Sequence, residues 1–316
     1  MKDVLDRPRL LGLVCAAGAV GLGLAYLAAA SAPPVYIAVN LGALILGATM
    51  WLILDREIGA RLARNGRTVL ILSLPLLATA VLGVAVAGAS RWVSVGPLNI
   101  QSSLVLLPAM IVLYSRSPDA MGTVGIAITA LALGLQPDRA MAGVLTAGLL
   151  GCFLTKPDRL AALGLASAIS ALGATLLQSD ALSAVPFVDR ILYSAFDVHV
   201  LAGLGVLAGS VVLLLPAVAN MRRWMNHRPV MLAFGLSWLG VVAAAALGNY
   251  PTPLVGYGGS AILGYLLSVA LLPSNVRATA GGYASGGQVS SDPDRDGEIR
   301  QLRASDFAPA TSCAHG

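Results

Sequence analysis

No Asp, Glu, Lys or Arg falls in the middle of any long apolar stretch of this chain. A charge at the centre of a membrane helix costs about 2.5–3.5 kcal/mol on insertion scales, so its absence is the default. The absence still argues against proton- or ion-coupled transport, which relies on ionisable groups inside the membrane. Cysteine is equally scarce. Cys15 and Cys152 sit inside apolar stretches and Cys313 near the C-terminus, so this chain cannot form a disulfide on an outer face. The few histidines are scattered, and nothing has metal-ligand spacing. Basic residues are not concentrated in a patch interleaved with aromatics, so no nucleic-acid partner is expected despite a pI near 9.4.

What the chain has in excess is apolar length. Its residues are 57% hydrophobic and its mean hydropathy is +0.81, far from a soluble composition. Ten apolar stretches can be read, at roughly 10–30, 36–54, 68–87, 103–115, 121–135, 140–155, 160–178, 198–219, 229–248 and 260–273. A span needs about 20 apolar residues, and the fourth and fifth stretches are short of that. Backbone groups in lipid have no water to bond with, so each span is expected to be helical. The fold class expected is all-α, a polytopic membrane protein of about ten transmembrane helices.

The basic residues orient it. All Lys and Arg except Arg91, Arg139 and Arg190 fall in alternate gaps and at the two ends. The positive-inside rule places those gaps, and both termini, in the cytoplasm. Lys2, Arg7 and Arg9 before an apolar run ending in Ala28-Ala29-Ala30-Ser31-Ala32 also resemble a signal peptide with a cleavage site. The run is long enough to span and nine more follow, so a retained first span is expected. Residues 1–273 read as one membrane domain. From 274 to 316 the composition turns to Gly, Ser, Asp and Arg, as expected of a flexible cytoplasmic tail. Gly205 and Gly209, and Gly143, Ala147 and Gly151, recur every four residues, a spacing that lets helices approach closely.

Any chemistry therefore belongs to the outer loops, and four places stand out. Arg91-Trp92 opens a segment that runs through Gly96-Pro97 to Gln101-Ser102-Ser103; on its own it reads as an interfacial anchor. Gln136-Pro137-Asp138-Arg139 reads as a helix cap. The loop Ser179–Asp197 carries Asp180, Asp189, Arg190, Tyr193 and Asp197, and its Pro186–Phe196 part suits a segment lying along the membrane surface. Asp197 meets the eighth span, where partial desolvation would make it a more useful base. Tyr250-Pro251-Thr252-Pro253-Leu254-Val255-Gly256-Tyr257-Gly258-Gly259-Ser260 leads into the last span, whose helix N-terminus can receive an anion.

Together and in this order, the four resemble the SEDS family of peptidoglycan glycosyltransferases, the FtsW/RodA/SpoVE proteins. That family has ten spans and an R-W-(I/V)-x-x-G…Q-P-S-E loop. It also has a Q-P-D-x-G turn, a catalytic Asp ending its large fourth outer loop, and P-x-P-(F/L)-(I/V)-S-Y-G-G-S before the last span. The counterparts here are Arg91-Trp92…Gly96…Gln101, Gln136-Pro137-Asp138, Asp197 and Pro251 to Ser260, within a resemblance covering roughly 10–273. The departures are specific. Gln101-Ser102-Ser103-Leu104 stands for Q-P-S-E, so the acidic residue is lost, Leu107 replaces a Lys, and Ala140-Met141 a Gly-Thr. Gly256 replaces a Ser, the fourth outer loop is short, and Gly203-Leu204-Gly205 stands where a G-E-E sequence is usual.

The resemblance implies polymerisation of lipid II at the outer face of the bacterial cytoplasmic membrane, in division or cell-shape maintenance. Asp197 would be the catalytic base. Arg91, Arg139 and the helix start at Gly258-Gly259-Ser260 would meet the diphosphate, with Trp92, Gln101 and Tyr257 completing the substrate-binding set and Asp138 orienting Arg139 or a cation. Partners implied are lipid II, undecaprenyl diphosphate and a membrane-anchored transpeptidase, a class B penicillin-binding protein. A divalent cation is compatible with this chemistry, but no ligand motif marks a site for one, so the cofactor stays open. Two other readings stand beside it: a catalytically degenerate SEDS paralogue that binds precursor or division proteins, and a flippase for a lipid-linked saccharide.

Overall fold

The computed structural model describes residues 2–55, 66–86, 89–96, 98–178, 183–223 and 225–274. Arg56, Arg61, Arg64, Pro97, Ser179 and Asp180 lie outside the described residues. The chain divides into Met1–Ser274 and Asn275–Gly316, and the second unit, with the expected tail, also lies outside them. In chain order the helices are α1 (Lys2–Leu5), α2 (Pro8–Ala29), α3 (Pro34–Asp55), α4 (Arg67–Leu82), α5 (Ser102–Arg116), α6 (Ala120–Leu135), α7 (Arg139–Thr155), α8 (Arg159–Leu176), α9 (Ile191–Val198), α10 (Val200–Val212), α11 (Leu215–Asn220), α12 (Arg228–Leu247) and α13 (Gly259–Ala270). Strands β1 (Val84–Val86), β2 (Ala89–Val95) and β3 (Leu98–Gln101) lie between α4 and α5.

Four segments, Pro8–Ala29, Pro34–Leu54, Arg159–Leu176 and Met225–Leu247, are long and apolar enough to cross a membrane. Six shorter apolar helices accompany them. The ten apolar stretches are thus helical, in an all-α membrane bundle. Local chemistry sets the breaks. Asp119, Asp138 and Asp158 each cap the next helix, accepting from the amides of Gly122, Met141 and Ala161. Pro8 and Pro229 open α2 and α12, where a missing N–H costs nothing.

Two expectations need correcting. The third span was expected to run to residue 87, but α4 ends at Leu82 and the chain turns at the extended Gly83 into a strand. β1, β2 and β3 then form an antiparallel sheet in that order, with Trp92 opposite Gln101 and Val95 opposite Leu98. The β-branched valines around Gly83 suit a strand better than the end of a helix. The eighth stretch is also not one helix. It breaks at Leu213–Leu214, ahead of Pro216, into α10 and α11. The Leu213 carbonyl at the break accepts from the Tyr265 hydroxyl at 3.0 Å.

The core of the bundle is aromatic where α12 meets α13. Trp238 and Tyr265 meet edge to face at 4.9 Å, Phe234 lies 5.8 Å from Tyr265, and the Trp238 indole donates to Ser268. Of the small residues spaced four apart, Gly151 and Gly209 serve close approach, while Gly143 faces open space and Gly205 makes only an ordinary contact with Leu22. A Cβ on Gly151 would come within 3.0 Å of the α12 backbone at Leu232, and one on Gly209 would reach 2.5 Å from Val255. A Cβ on Gly23 would lie 2.6 Å from the Val255 backbone. The loop before α13 is therefore plugged by Val255 into a slot between α2 and α10, which fixes where α13 starts.

Candidate functional site

Asp138 begins as a helix cap and becomes a hub. It is fully buried. One carboxylate oxygen accepts the Met141 amide at 3.3 Å; the other accepts from Gln101 Nε2 at 3.1 Å and Ser103 Oγ at 2.9 Å. A carboxylate can take several donors at once, and here three are supplied from three elements, β3, α5 and α7. The Gln101 amide in turn donates to Ser260 Oγ at 3.1 Å, in the first turn of α13. Three motifs far apart in sequence are thus joined through Gln101, whose side chain reaches Asp138 and whose backbone N–H reaches the Ser260 hydroxyl.

Arg91 closes the other side of the turn. It is 2% exposed. Its guanidinium donates to the carbonyls of Gln136 and Pro137 and lies 5.9 Å from the centre of the Tyr250 ring. Gln136 donates from Nε2 to the Leu76 carbonyl at 2.8 Å. Arg139 points elsewhere, donating to the carbonyls of Thr175 and Gln178 at the end of α8. Both cations expected at a diphosphate are thus committed to backbone carbonyls. Asp138 receives amides and a hydroxyl from Gln101, Ser103 and Met141 in place of an Arg139 partnership.

The loop before α13 is held by two residues that sequence reasoning missed. Asn40 is fully buried in α3. Its Nδ2 donates to the Gly256 carbonyl at 2.8 Å and its Oδ1 accepts the Gly258 amide at 3.1 Å, so both backbone groups flanking Tyr257 are clamped. Tyr36 stacks on Tyr257 at 3.8 Å with 12° between the rings, and Phe187 meets Tyr36 edge-on at 6.0 Å. Burial, with Tyr36 close by, pushes the Tyr257 phenol above its usual range. A lone Asn inside an apolar span was the available signal, since polar groups there need partners. Asn40→Ala is expected to leave the Gly256 carbonyl and Gly258 amide unpaired at a cost of about 2 kcal/mol. Thermal unfolding in detergent checks this, and an unchanged midpoint would remove Asn40 from the site.

The fourth outer loop runs alongside. Its Phe187 and Val188 carbonyls accept the amides of Tyr257 and Thr252 at 2.7 and 2.9 Å, and Asp189 bridges to Pro251. A side chain at Gly256 would meet the Ile191 δ-methyl at 2.4 Å, which accounts for glycine where the related motif has serine. The segment expected along the membrane surface, Pro186–Phe196, runs into α9, with Ile191, Leu192 and Ala195 buried and Tyr193 exposed. Asp197 sits in its last turn and is exposed, so the desolvation expected for it does not come from the protein. His199 caps α10, its Nδ1 accepting the Leu201 amide at 3.1 Å. Where carboxylates might have followed, Gly203 is filled by the Phe196 ring, 2.4 Å from any added Cβ. A longer side chain there would displace α9 and Asp197 with it.

Asp189 is a pH-sensitive point of this loop. Burial raises its carboxyl above the ordinary 3.8, partly offset by the Val185 amide that it accepts. A raised carboxyl binds more protons folded than unfolded. Its contribution is full below about pH 4 and is lost as pH rises through the raised value. Asp189→Asn keeps an acceptor for Val185 and removes the buried charge. Its unfolding midpoint, relative to wild type, is expected to be higher at pH 7.5 than at pH 4; a constant difference would contradict this.

Among the described residues no group of three or more His, Cys, Asp or Glu could hold a metal ion. A crevice beside the hub, lined by Gln101, Leu104, Met141, Val144, Tyr250 and Pro251, admits only about 10 Å³ of water-sized space. That is room for about one water, not for a sugar.

No family model matches the sequence, and no curated protein matches it. Solved structures do. The rod shape determining protein RodA of Thermus thermophilus is 25% identical, with a TM-score of 0.60 over 83% of this chain and 94% of its own. The chain shares the fold of this SEDS protein. A mutant of the same RodA (24% identity, TM-score 0.57, 83% and 95% covered) shares the fold. So does a structure described as the structural coordination of polymerization and crosslinking by a peptidoglycan synthase complex (23%, TM-score 0.59, 82% and 95%). The chain is accordingly a multi-pass protein of the bacterial cytoplasmic membrane. Gln101, Asp138 and Ser260 join three of the motifs in one hydrogen-bonded network, and Asp197 is exposed at the end of α9.

Proposed function

We propose that this chain is a peptidoglycan glycosyltransferase that polymerises lipid II at the outer face of the cytoplasmic membrane. The observation that carries the reading is the buried linkage of Gln101, Asp138 and Ser260, which ties three separate motifs into one outer surface. The acceptor hydroxyl would attack the anomeric carbon of the donor sugar. The bond to undecaprenyl diphosphate would break, with its electron pair leaving on the diphosphate. Asp197, exposed at the end of α9, is free to take the hydroxyl proton. Gly259 and Ser260, at the start of α13, offer backbone dipoles to the departing diphosphate, while the Gly258 amide stays with Asn40. Arg139, half-buried, can reach it only by leaving its carbonyls, and Arg91 keeps the turn at Gln136–Pro137 in place. A class B penicillin-binding protein is the partner proposed, by analogy with the synthase complex that shares the fold.

A catalytically degenerate reading has one specific observation in its favour. Leu104 is buried, and its carbonyl lies 2.1 Å from where a Gly264 Cβ would be. The start of α5, where an acidic residue is usual, is thus packed against α13 and closed to substrate. The two readings part on one experiment: incubation of the purified full chain with lipid II, alone and with the transpeptidase. Glycan strands support the enzyme; lipid II binding without strands supports the degenerate paralogue. Transfer of lipid-linked saccharide across vesicles without strands would support the flippase.

A further inference from the structure

The sheet between α4 and α5 has two unlike faces. Register places Val93 opposite Ile100 and Val95 opposite Leu98, so these four side chains share one face. Val93, Val95 and Leu98 are 41%, 56% and 38% exposed. The other face carries half-buried Trp92, buried Gln101, and the exposed Ser94 and Asn99, which are hydrogen-bonded to each other at 2.8 Å. Arg91 shares the parity of the apolar face, but it is buried and donates to the Gln136 and Pro137 carbonyls, so the exposed part carries no charge.

Helix length then sets the depth. The two helices that flank the sheet are short, 16 residues for α4 and 15 for α5. At 1.5 Å per residue they reach about 24 and 22 Å from inner ends marked by Arg67 and Arg116. The hydrocarbon core is about 30 Å thick, so both helices stop short of its outer boundary. The sheet starts where they stop. The lipid-facing surface of α4 continues to its very end, with Val81 70% and Leu82 82% exposed immediately before the first strand.

We propose that the β2–β3 hairpin is set into the outer leaflet, with Val93, Val95, Leu98 and Ile100 against acyl chains and Ser94 and Asn99 turned away from them. Backbone at this depth must be satisfied without water. β2 pairs with β1 at Ala89 and Trp92 and with β3 from Trp92 to Val95, the Gln101 amide at the end of β3 is taken by Ser260, and Arg91 takes the carbonyls of the neighbouring turn. The polar hub around Asp138 is then a membrane-depth recess sealed by the sheet. Lipid beside the active surface is where a polyprenyl-linked substrate would arrive, but the proposal stands whether or not the chain is an enzyme.

Site-directed spin labelling tests it in the full chain in phosphatidylethanolamine–phosphatidylglycerol vesicles, with Cys313→Ser and the buried Cys15 and Cys152 retained. Nitroxides are placed one at a time through Val93→Cys, Val95→Cys and Leu98→Cys, and on the other face through Ser94→Cys and Asn99→Cys. Oxygen concentrates in lipid and a nickel chelate in water. The ratio of oxygen to nickel collisions is expected to be several-fold higher at 93, 95 and 98 than at 94 and 99. Equal ratios on both faces would overturn the proposal and leave the hairpin standing in water. Low collision with both reagents at 93, 95 and 98 would overturn it in favour of a protein cover.

Discussion

Replacing Asp197 by Ala is expected to lower lipid II polymerisation by at least about 100-fold while leaving thermal unfolding unchanged. General-base groups typically contribute about 10² to 10⁴ in rate, which sets the scale. The absence of a stability effect follows from the site. Asp197 is exposed, and its carboxylate takes no hydrogen bond from the described residues, so nothing is orphaned when it goes. Few residues in this bundle separate activity from stability so cleanly. Asp197→Asn keeps the shape of the side chain and removes the base, and should fall with Asp197→Ala. If strands form at wild-type rate in both variants, Asp197 is not the base. If the unfolding midpoint drops with the activity, the loss reports a damaged α9 and not missing chemistry. Strand length on gels and the unfolding midpoint in the same preparation read both.

The largest stability effect is expected at Asp138. Asp138→Ala removes the acceptor for Gln101 Nε2, Ser103 Oγ and the Met141 amide, all buried. Leaving a buried donor unpaired costs about 1–3 kcal/mol, and breaking a shared network costs less than the sum. A total of about 3–5 kcal/mol, or an unfolding midpoint lower by about 10 °C, is expected in detergent. Asp138→Asn can still cap Met141 but turns an amide toward two donors, so it should lose about half as much. Activity falls in both, because Gln101 is the link to Ser260 at the start of α13. An Asp138→Ala midpoint within 2 °C of wild type (about 1 kcal/mol or less) would show that the hub does not hold the motifs together.

The two residues also show why the sequence could be read so differently at each. Asp138 looked like a cap, and it is one; that reading needs only local spacing. Its second role depends on β3 and α5 delivering Gln101 and Ser103 to it, and no local pattern encodes that meeting. Asp197 was placed correctly at the join of surface helix and span. Its exposure depends on Phe196 and Gly203 packing behind it, a contact across a helix break. Asn40 carried a signal, a polar residue within an apolar run, but its partners are more than 200 residues away.

By itself the sequence determined the all-α membrane class, the ten apolar helical stretches and the order of the motifs between them, and it set the expected sidedness. These rest on apolar length, on capping residues a turn away, and on charge asymmetry, all local or summed along the chain. Only the tertiary structure decided that α4 gives way to a sheet, that Arg91 and Arg139 serve carbonyls, and that Val255 is plugged between Gly23 and Gly209. Each depends on which backbone groups are left unpaired once the helices are packed, and in lipid every such group must find a partner within the protein.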